Sequence, residues 1–570
     1  MSMDTDVLII GAGPSGLGMA IQLIRNFGTR RFEIIEKTSN VGGTWSLNTY
    51  PGCGCDVPSH FYSYSFAPNP SWSRKFALQP EIHQYFESVA EQYDLRPHVR
   101  FHSAVKLAEY DSETATWRVV IEDQRTARQF HKRCRILVSA VGALSVPKGC
   151  DIPGAEKYTG RLFHSAQWDH SFDYKDKEVV CVGNGCSATQ FVPIMSAGPN
   201  KVKKITQISR QAHWLAERPN PEYSRGFRFL MRWVPGAQRL YRLLLFVQLE
   251  KDFGGFRLES GRSLRNEWTA AATEYILKNS PVKYRNFLVP SSVMGCKRKV
   301  MDTDYLACLH RENVELVYND PIDRITESGV ATQSGRVIDA DAIILANGFE
   351  TQKPLFPMEI RGQNGQSIAD HWAEFAEGSP EAYFGTCLSG FPNLFLLMGP
   401  NTLSGHLSVL YTTECQINFI IRLLNPILGR PKHSSWPKKQ CPDSVAVTAV
   451  AERRDIALTD QKAQQLVWAT GCSSWFIDPS TGRNTIMFPD WQFKFHLRSI
   501  FIQWQDFVYS QAPRGALQEI AVYSHIPLSV ASAAKIVIVA GAVMGLSSLT
   551  SLNLISKLPD LQQYASGLFS

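Results

Sequence analysis

The chain has 570 residues, of which 44% are hydrophobic and 19% charged, too long for one core and suggesting two or three globular domains. Its net charge of +7 is spread along the chain, with short clusters only, such as His131-Lys132-Arg133 and Lys297-Arg298-Lys299. That excludes a nucleic-acid binder and suits anionic cofactors. The twelve cysteines include no CxxC pair, and Cys53-Gly54-Cys55 is too tight for a zinc site, so the expectation is reduced thiols and no metal. Residues 1–10 hold no basic region followed by a long apolar one, and no secretory signal is expected.

The first predicted strand, residues 6–10 (DVLII), ends at GAGPSG, and residues 17–23 then take helical spacing. This is the strand, turn and helix context of a dinucleotide fingerprint. Gly11 makes the turn, Gly13 admits a pyrophosphate, and Gly16 lets helix and strand pack closely. A second strand, residues 32–36 (FEIIE), ends in Glu36, which is expected to accept ribose hydroxyls.

A second fingerprint follows the apolar strand at residues 178–182 (EVVCV). It reads GNGCSA, with Gly183, Gly185 and Ser187, and Ala188 in the third glycine position. The next strand, residues 205–209, ends in Arg210 where an NAD-selective site would present an acid. An arginine there can grip a ribose 2'-phosphate, so NADPH is the expected second ligand. Between the two fingerprints lies residues 158–169, YTGRLFHSAQWD, the segment that sets one nucleotide against the other.

Gly42-Gly43-Thr44-Trp45, Tyr50-Pro51-Gly52 and the run from Cys55-Asp56 to His60 resemble the flavin-contacting segments of class B flavoprotein monooxygenases, which include the Baeyer-Villiger monooxygenases. Trp45 and Tyr50 offer faces and edges for stacking. That family's signature, FxGxxxHxxxW followed by Pro or Asp, is matched by Gly160, His164, Trp168 and Asp169, with Tyr158 in the Phe position. Heteroatom-oxidising relatives tend to carry Tyr or Phe at the Trp168 position, so the tryptophan favours the ketone-oxidising branch.

The resemblance implies a set of roles and a fold. Arg298 matches the family's catalytic arginine, Asp56 its acidic partner, and Lys297 a contact to the NADP phosphate; His164 and Trp168, signature residues at the joint that couples the two cofactor sites, are counted with Arg298 and Asp56 as catalytic. Gln211 departs from the Thr or Ser usual after Arg210. Residues 341–349, DAIILANGF, resemble the returning flavin strand, with Asn347 and Gly348 near the cofactor, and residues 398–405, MGPNTLSG, resemble a flavin-ring segment. The implied fold is α/β, with a discontinuous Rossmann-like FAD domain (1–150 and 341–500) and an inserted NADP domain (151–340) carrying a helical subdomain at about 219–288.

The implied reaction is oxygen insertion beside a carbonyl by way of a flavin C4a-peroxide, with NADPH, FAD and O2, in specialised metabolism. A guanidinium, protonated at any working pH, suits the anionic oxygens of that chemistry. Nitrogen, sulfur or carbon oxygenation by a flavin hydroperoxide is the alternative. A pyridine nucleotide-disulfide reductase needs a redox cysteine pair near the flavin, and Cys53/Cys55 is a poor match.

Two stretches point outward. Residues 225–251, RGFRFLMRWVPGAQRLYRLLLFVQLEK, read as basic amphipathic helix, able to lie on a membrane or to form part of the helical subdomain. Residues 426–442 read as a linker, and 501–570 as a tail in which 536–556 is uncharged and long enough to span a bilayer. The expected location is therefore a membrane surface facing the cytoplasm, with the endoplasmic reticulum as one candidate, or else the cytoplasm itself. A ketone-bearing, apolar small molecule is the expected substrate, and no oligomeric state is implied.

Overall fold

The computed structural model describes residues 3–429 and 441–512, and the backbone of 518–520. Two sheets organise it. In the first, Thr5–Ile10 lies parallel between Phe32–Ile35 and Gln129–Ser139. A meander of Ser103–Asp111, Thr116–Asp123 and Gln129–Ser139 extends one side, and Leu394–Leu396 pairs parallel with the last of these. The second sheet has five parallel strands in the order Val314–Val317, Lys204–Ile208, Glu178–Val182, Ala342–Leu345, Arg161–His164. Parallel strands covered on both faces need continuous apolar runs. Ala342–Leu345 is buried at all four positions, and Thr5–Ile10 at all but one.

The first fingerprint helix, Pro14–Phe27, starts at a proline whose missing N–H costs nothing there, and stops at Gly28. Gly28 takes φ 64°, and its N–H bonds the Ile24 carbonyl at 2.9 Å. Its buried face meets Val409–Leu428: a Cβ on Gly18 would lie 3.0 Å from Ile417 Cδ1. This packing brings the returning chain back onto the first domain.

Three expectations are corrected or fall outside these residues. Residues 341–349 do not return to the first sheet: Ala342–Leu345 pairs with Val179–Val182 and Arg161–His164, closing the second sheet. Its backbone bridges those two strands, and the chain rejoins the first sheet only at Glu359–Arg361 and Leu394–Leu396. Pro426, expected to open a linker, belongs instead to the helix Val409–Leu428, held there by buried Leu423, Leu424 and Ile427. No described helix is long and apolar enough to cross a membrane, and the span called at 536–556 lies outside the described residues.

Two linkers join the sheets, and they pair with each other. Lys148 N–H donates to Gly348 O at 3.0 Å and Glu350 N–H to Val146 O at 2.9 Å. The helical insert, with Arg225–Trp233, Ala237–Glu250 and Arg262–Asn279, is tied to the first fold where Arg242 donates to Ser63 Oγ at 2.9 Å.

Candidate active site at the meeting of two dinucleotide folds

Both glycine turns are built as cradles. Gly11 takes φ +106° with Ala140 O only 2.7 Å from where a Cβ would sit, and a Cβ on Gly16 would fall 1.9 Å from Gly11 O. Gly43, at φ +54°, backs onto Gly13, whose Cα lies 2.8 Å from its missing Cβ. Thr44 and Trp45 open the short helix Thr44–Leu47 beside this contact. At the carboxyl ends of Gln129–Ser139 and Leu394–Leu396 lies a cleft lined by Ser139, Val141, Met398 and Gly399. A doubly wound sheet binds its ligand at this end. In the second turn Gly183 takes φ +111° against Ala346 O, whereas nothing lies within 4 Å of a Cβ on Gly185 or on Gly348. Ser187 starts the helix Ala188–Met195 and makes no side-chain cap bond, leaving its N-terminal amides for an anion.

Glu36 is 6% exposed and already engaged. It accepts from Ala12 N–H at 2.7 Å and from the Thr38 N–H and hydroxyl at 2.8 Å each. A carboxylate has about four acceptor positions, so one remains for a ribose hydroxyl. Arg210 and Gln211 are exposed on the second fold, and Lys297 Nζ donates to Gln211 Oε1. The departure at Gln211 thus supplies a partner that holds Lys297 beside Arg210.

Between the cradles stands one ion pair. Arg298 Nε and Nη2 donate to the two Asp56 oxygens at 2.8 and 2.7 Å, a bidentate fork between side chains 25% and 27% exposed. Asp56 raises the Arg298 pKa above its ordinary value against the opposing pull of burial, so the guanidinium is permanently charged. A second cation, Arg218, is 8% exposed; it donates to Cys55 O and lies 5.0 Å over the Phe76 ring, leaving its Nε without a partner.

Residues 158–169 fasten the joint. His164 Nδ1 accepts from Ala166 N–H at 3.0 Å, which leaves the proton on Nε2, 3.1 Å from Gly348 O. That carbonyl also accepts from Lys148, so His164 clasps both linkers where they pair. Burial lowers the His164 pKa, opposed by its bond to Gly348. Trp168 sits between the folds, its ring 6.5 Å from Tyr50 and 5.4 Å from Phe191. Asn347 Nδ2 donates to Gly149 O at 3.0 Å, tying one linker to the other.

Over 491 residues, 86% of its length, the chain is 36% identical to a Baeyer-Villiger monooxygenase of Pseudomonas aeruginosa, 88% of which is covered. The chain belongs to the Baeyer-Villiger monooxygenase family. A Baeyer-Villiger monooxygenase of Streptomyces coelicolor is 35% identical over 488 residues, covering 85% of this chain and 88% of that one. A family model described as pyridine nucleotide-disulphide oxidoreductase matches residues 8–225. Among solved structures, OTEMO in complex with FAD and NADP has a TM-score of 0.77 at 24% identity, covering 90% of this chain and all of that one. That likeness is one of fold.

Set within this Baeyer-Villiger monooxygenase, two aromatic residues gain partners and one expectation, that of reduced thiols, is corrected. Trp45 and Tyr50 are pinned by their polar ends: Trp45 Nε1–H donates to Tyr62 at 3.0 Å and Tyr50 to Gln190 Oε1 at 3.0 Å, both side chains buried. The cysteines are not all reduced: Cys296 and Cys472 are paired, Cα to Cα 6.3 Å, which fits a disulfide. The pair ties the loop carrying Arg298 to residues 466–477, where Trp468 Nε1–H also reaches Gly295 O at 3.3 Å. Cys53 and Cys55 stay free, and burial pushes each thiol up to about 12, so they are protonated and form no redox pair.

Sequence reading missed Arg218, Gln190 and a buried pair of Glu250 and His406, 3.1 Å apart. Gln190 bonds Tyr50 and both backbone groups of Gly54, locking the flavin-side segment onto the second fold. Its place one turn into the fingerprint helix was the available signal. Arg218 and Glu250 carried none, because their partners lie more than 150 residues away.

Proposed function

We propose that this chain is an NADPH-dependent flavin monooxygenase that inserts one oxygen atom of O2 beside the carbonyl of an apolar ketone, giving an ester or lactone. The observation that carries the reading is the Asp56–Arg298 fork, set between one glycine cradle and the other. FAD fits the first fold, at Gly11, Gly13, Gly16, Glu36 and Gly43, and NADPH the second, at Gly183, Gly185, Ser187, Arg210 and Lys297. Bound FAD, reduced by NADPH, supplies the oxygen-transfer chemistry with O2.

The residues of this chain do the rest. Arg298 places a fixed positive charge where oxygen of the reacting centre becomes anionic, and it cannot lose its proton there. Asp56 holds both arms of the guanidinium in one plane, so the charge needs no reorganisation during reaction. Lys297 and Arg210 orient a 2'-phosphate. His164, Trp168 and Asn347 position the two folds; they are assigned to the joint and not to the chemistry.

Product analysis under labelled dioxygen tests the reading, with a cyclic ketone, a tertiary amine and a sulfide offered in turn. One label appearing in an ester or lactone supports it. Label appearing only in an N-oxide or sulfoxide overturns it.

A further inference from the structure

The function above leaves one surface unused. The hairpin of Arg225–Trp233 and Ala237–Glu250 is packed on one side and bare on the other. Its inner side is an aromatic cage: Phe227 stacks on Tyr223 at 4.5 Å, and the His60 ring lies 5.1 to 5.6 Å from Tyr223, Phe227 and Tyr241. Arg242 reaches inward to Ser63 Oγ at 2.9 Å. The outer side carries Phe229 and Trp233, each 64% exposed, Leu240 at 59%, and also Leu230, Val234 and Leu244.

Helical spacing arranges that outer side in two rows. Phe229 and Trp233 are four apart and form an apolar row with Leu230; Leu240 and Leu244 repeat the spacing on the second helix. Arg225, Arg228 and Arg232 run alongside at intervals of three and four, and Arg239 follows on the second helix; all four are exposed. No acid occurs from 223 to 249. Glu222, just before, is bonded to Arg74 at 2.8 Å, and Glu250, just after, is buried on His406. Arg232 lies 5.6 Å over the Trp233 ring.

We propose that this hairpin is an in-plane docking surface for an anionic lipid bilayer. An interfacial helix needs an apolar strip that enters the acyl boundary and a cationic strip at headgroup level, with Trp and Phe on the apolar side. Both strips are present side by side. A second copy of the chain is the poorer occupant, because a twofold contact sets the same patch against itself. Four arginines would then face four arginines with no acid between them. Docking in this way holds His60, and with it the Asp56 segment, next to the phase in which apolar ketones dissolve.

The test uses the full chain with phosphatidylcholine vesicles, pure or with about one quarter phosphatidylserine, in a flotation assay. The parent is expected to float with the anionic vesicles and to lose binding as salt is raised. Each arginine near such a surface is worth about fivefold in partition, so R225Q/R228Q/R232Q/R239Q is expected to weaken binding a hundredfold or more. F229S/W233S is expected to abolish the remaining binding to either vesicle, and both variants to oxidise NADPH as the parent does. Variants that float like the parent overturn the proposal, since all carry the same tail. So does a parent that fails to float. A parent dimer that F229S/W233S converts to monomer, without vesicle binding, overturns it in favour of a second copy.

Discussion

Arg298→Lys separates the charge at the centre of the site from its geometry. Lysine keeps one positive charge but has no fork, so it can satisfy one Asp56 oxygen where arginine now satisfies both, at 2.8 and 2.7 Å. Losing one charge-assisted hydrogen bond costs about 1.5–3 kcal/mol when buried, and with both side chains a quarter exposed the structural loss falls to about 1 kcal/mol. The loss in rate is larger, because removing one preorganised donor from an oxyanion site typically costs about 10²- to 10³-fold. The expected outcome is ester formation lowered about a hundredfold, with the Kd for NADPH within about threefold of the parent. Chromatographic product yield, read beside NADPH oxidation at 340 nm and a binding titration, measures both quantities. A lysine variant that makes product within about threefold of the parent refutes the fork as the device that matters. Equal losses of NADPH binding and product would instead make Arg298 a residue of cofactor binding.

Three further outcomes follow from the site. Gly185→Ala meets open space and is expected to fold like the parent while weakening NADPH binding about tenfold, whereas Gly16→Ala, 1.9 Å from Gly11 O, is expected to yield little folded protein; thermal melts and NADPH titrations read the contrast. Arg210→Ala is expected to raise the KM for NADPH about tenfold and leave that for NADH unchanged, since only the former carries the 2'-phosphate. His60 is caged with neither ring nitrogen partnered, and burial lowers its pKa to about 4. The unfolded chain therefore takes up the proton first, near pH 6.5, and stability present above that value declines as pH falls toward 4, by up to about 3 kcal/mol. His60→Phe is expected to flatten that decline in denaturant titrations at pH 7 and pH 5.

What was legible in the sequence was whatever a local pattern encodes. Gly11, Gly16 and Gly183 are glycines because a backbone carbonyl occupies the space a Cβ needs, and such turns carry a fixed spacing. Asp56 and Arg298 were named because each sits in a recognisable segment, and the structure brings them together across 242 positions. The strand Ala342–Leu345 was assigned to the wrong sheet because a buried parallel strand looks the same in either. The partners of Trp45 and Tyr50, Tyr62 and Gln190, were not legible, because no local pattern pairs residues 17 and 140 positions apart. The Cys296–Cys472 pair spans 176 positions, and no spacing rule reaches that far.

His164 raises the question of whether the most recognisable stretch takes part in the reaction or holds the machine together. Its Nδ1 is occupied by the Ala166 N–H, so the neutral tautomer is fixed and Nε2–H is committed to Gly348 O. Neither nitrogen is left to move a proton for a substrate. Protonation would set an Nδ1–H against the Ala166 N–H, donor against donor, which agrees with a pKa held below the ordinary value. The clasp should therefore persist at neutral pH and loosen in acid, as the pH falls through that lowered pKa. His164→Ala removes the bond to Gly348 O but spares the linker pairing by Lys148 and Glu350. The expected result is unchanged NADPH binding and a clear fall in ester formed per NADPH oxidised, with hydrogen peroxide making up the difference. His164→Gln, whose amide can still donate to Gly348 O, is expected to recover part of that coupling. Loss of all oxygenation in both variants, at full NADPH binding, would place His164 in the chemistry after all.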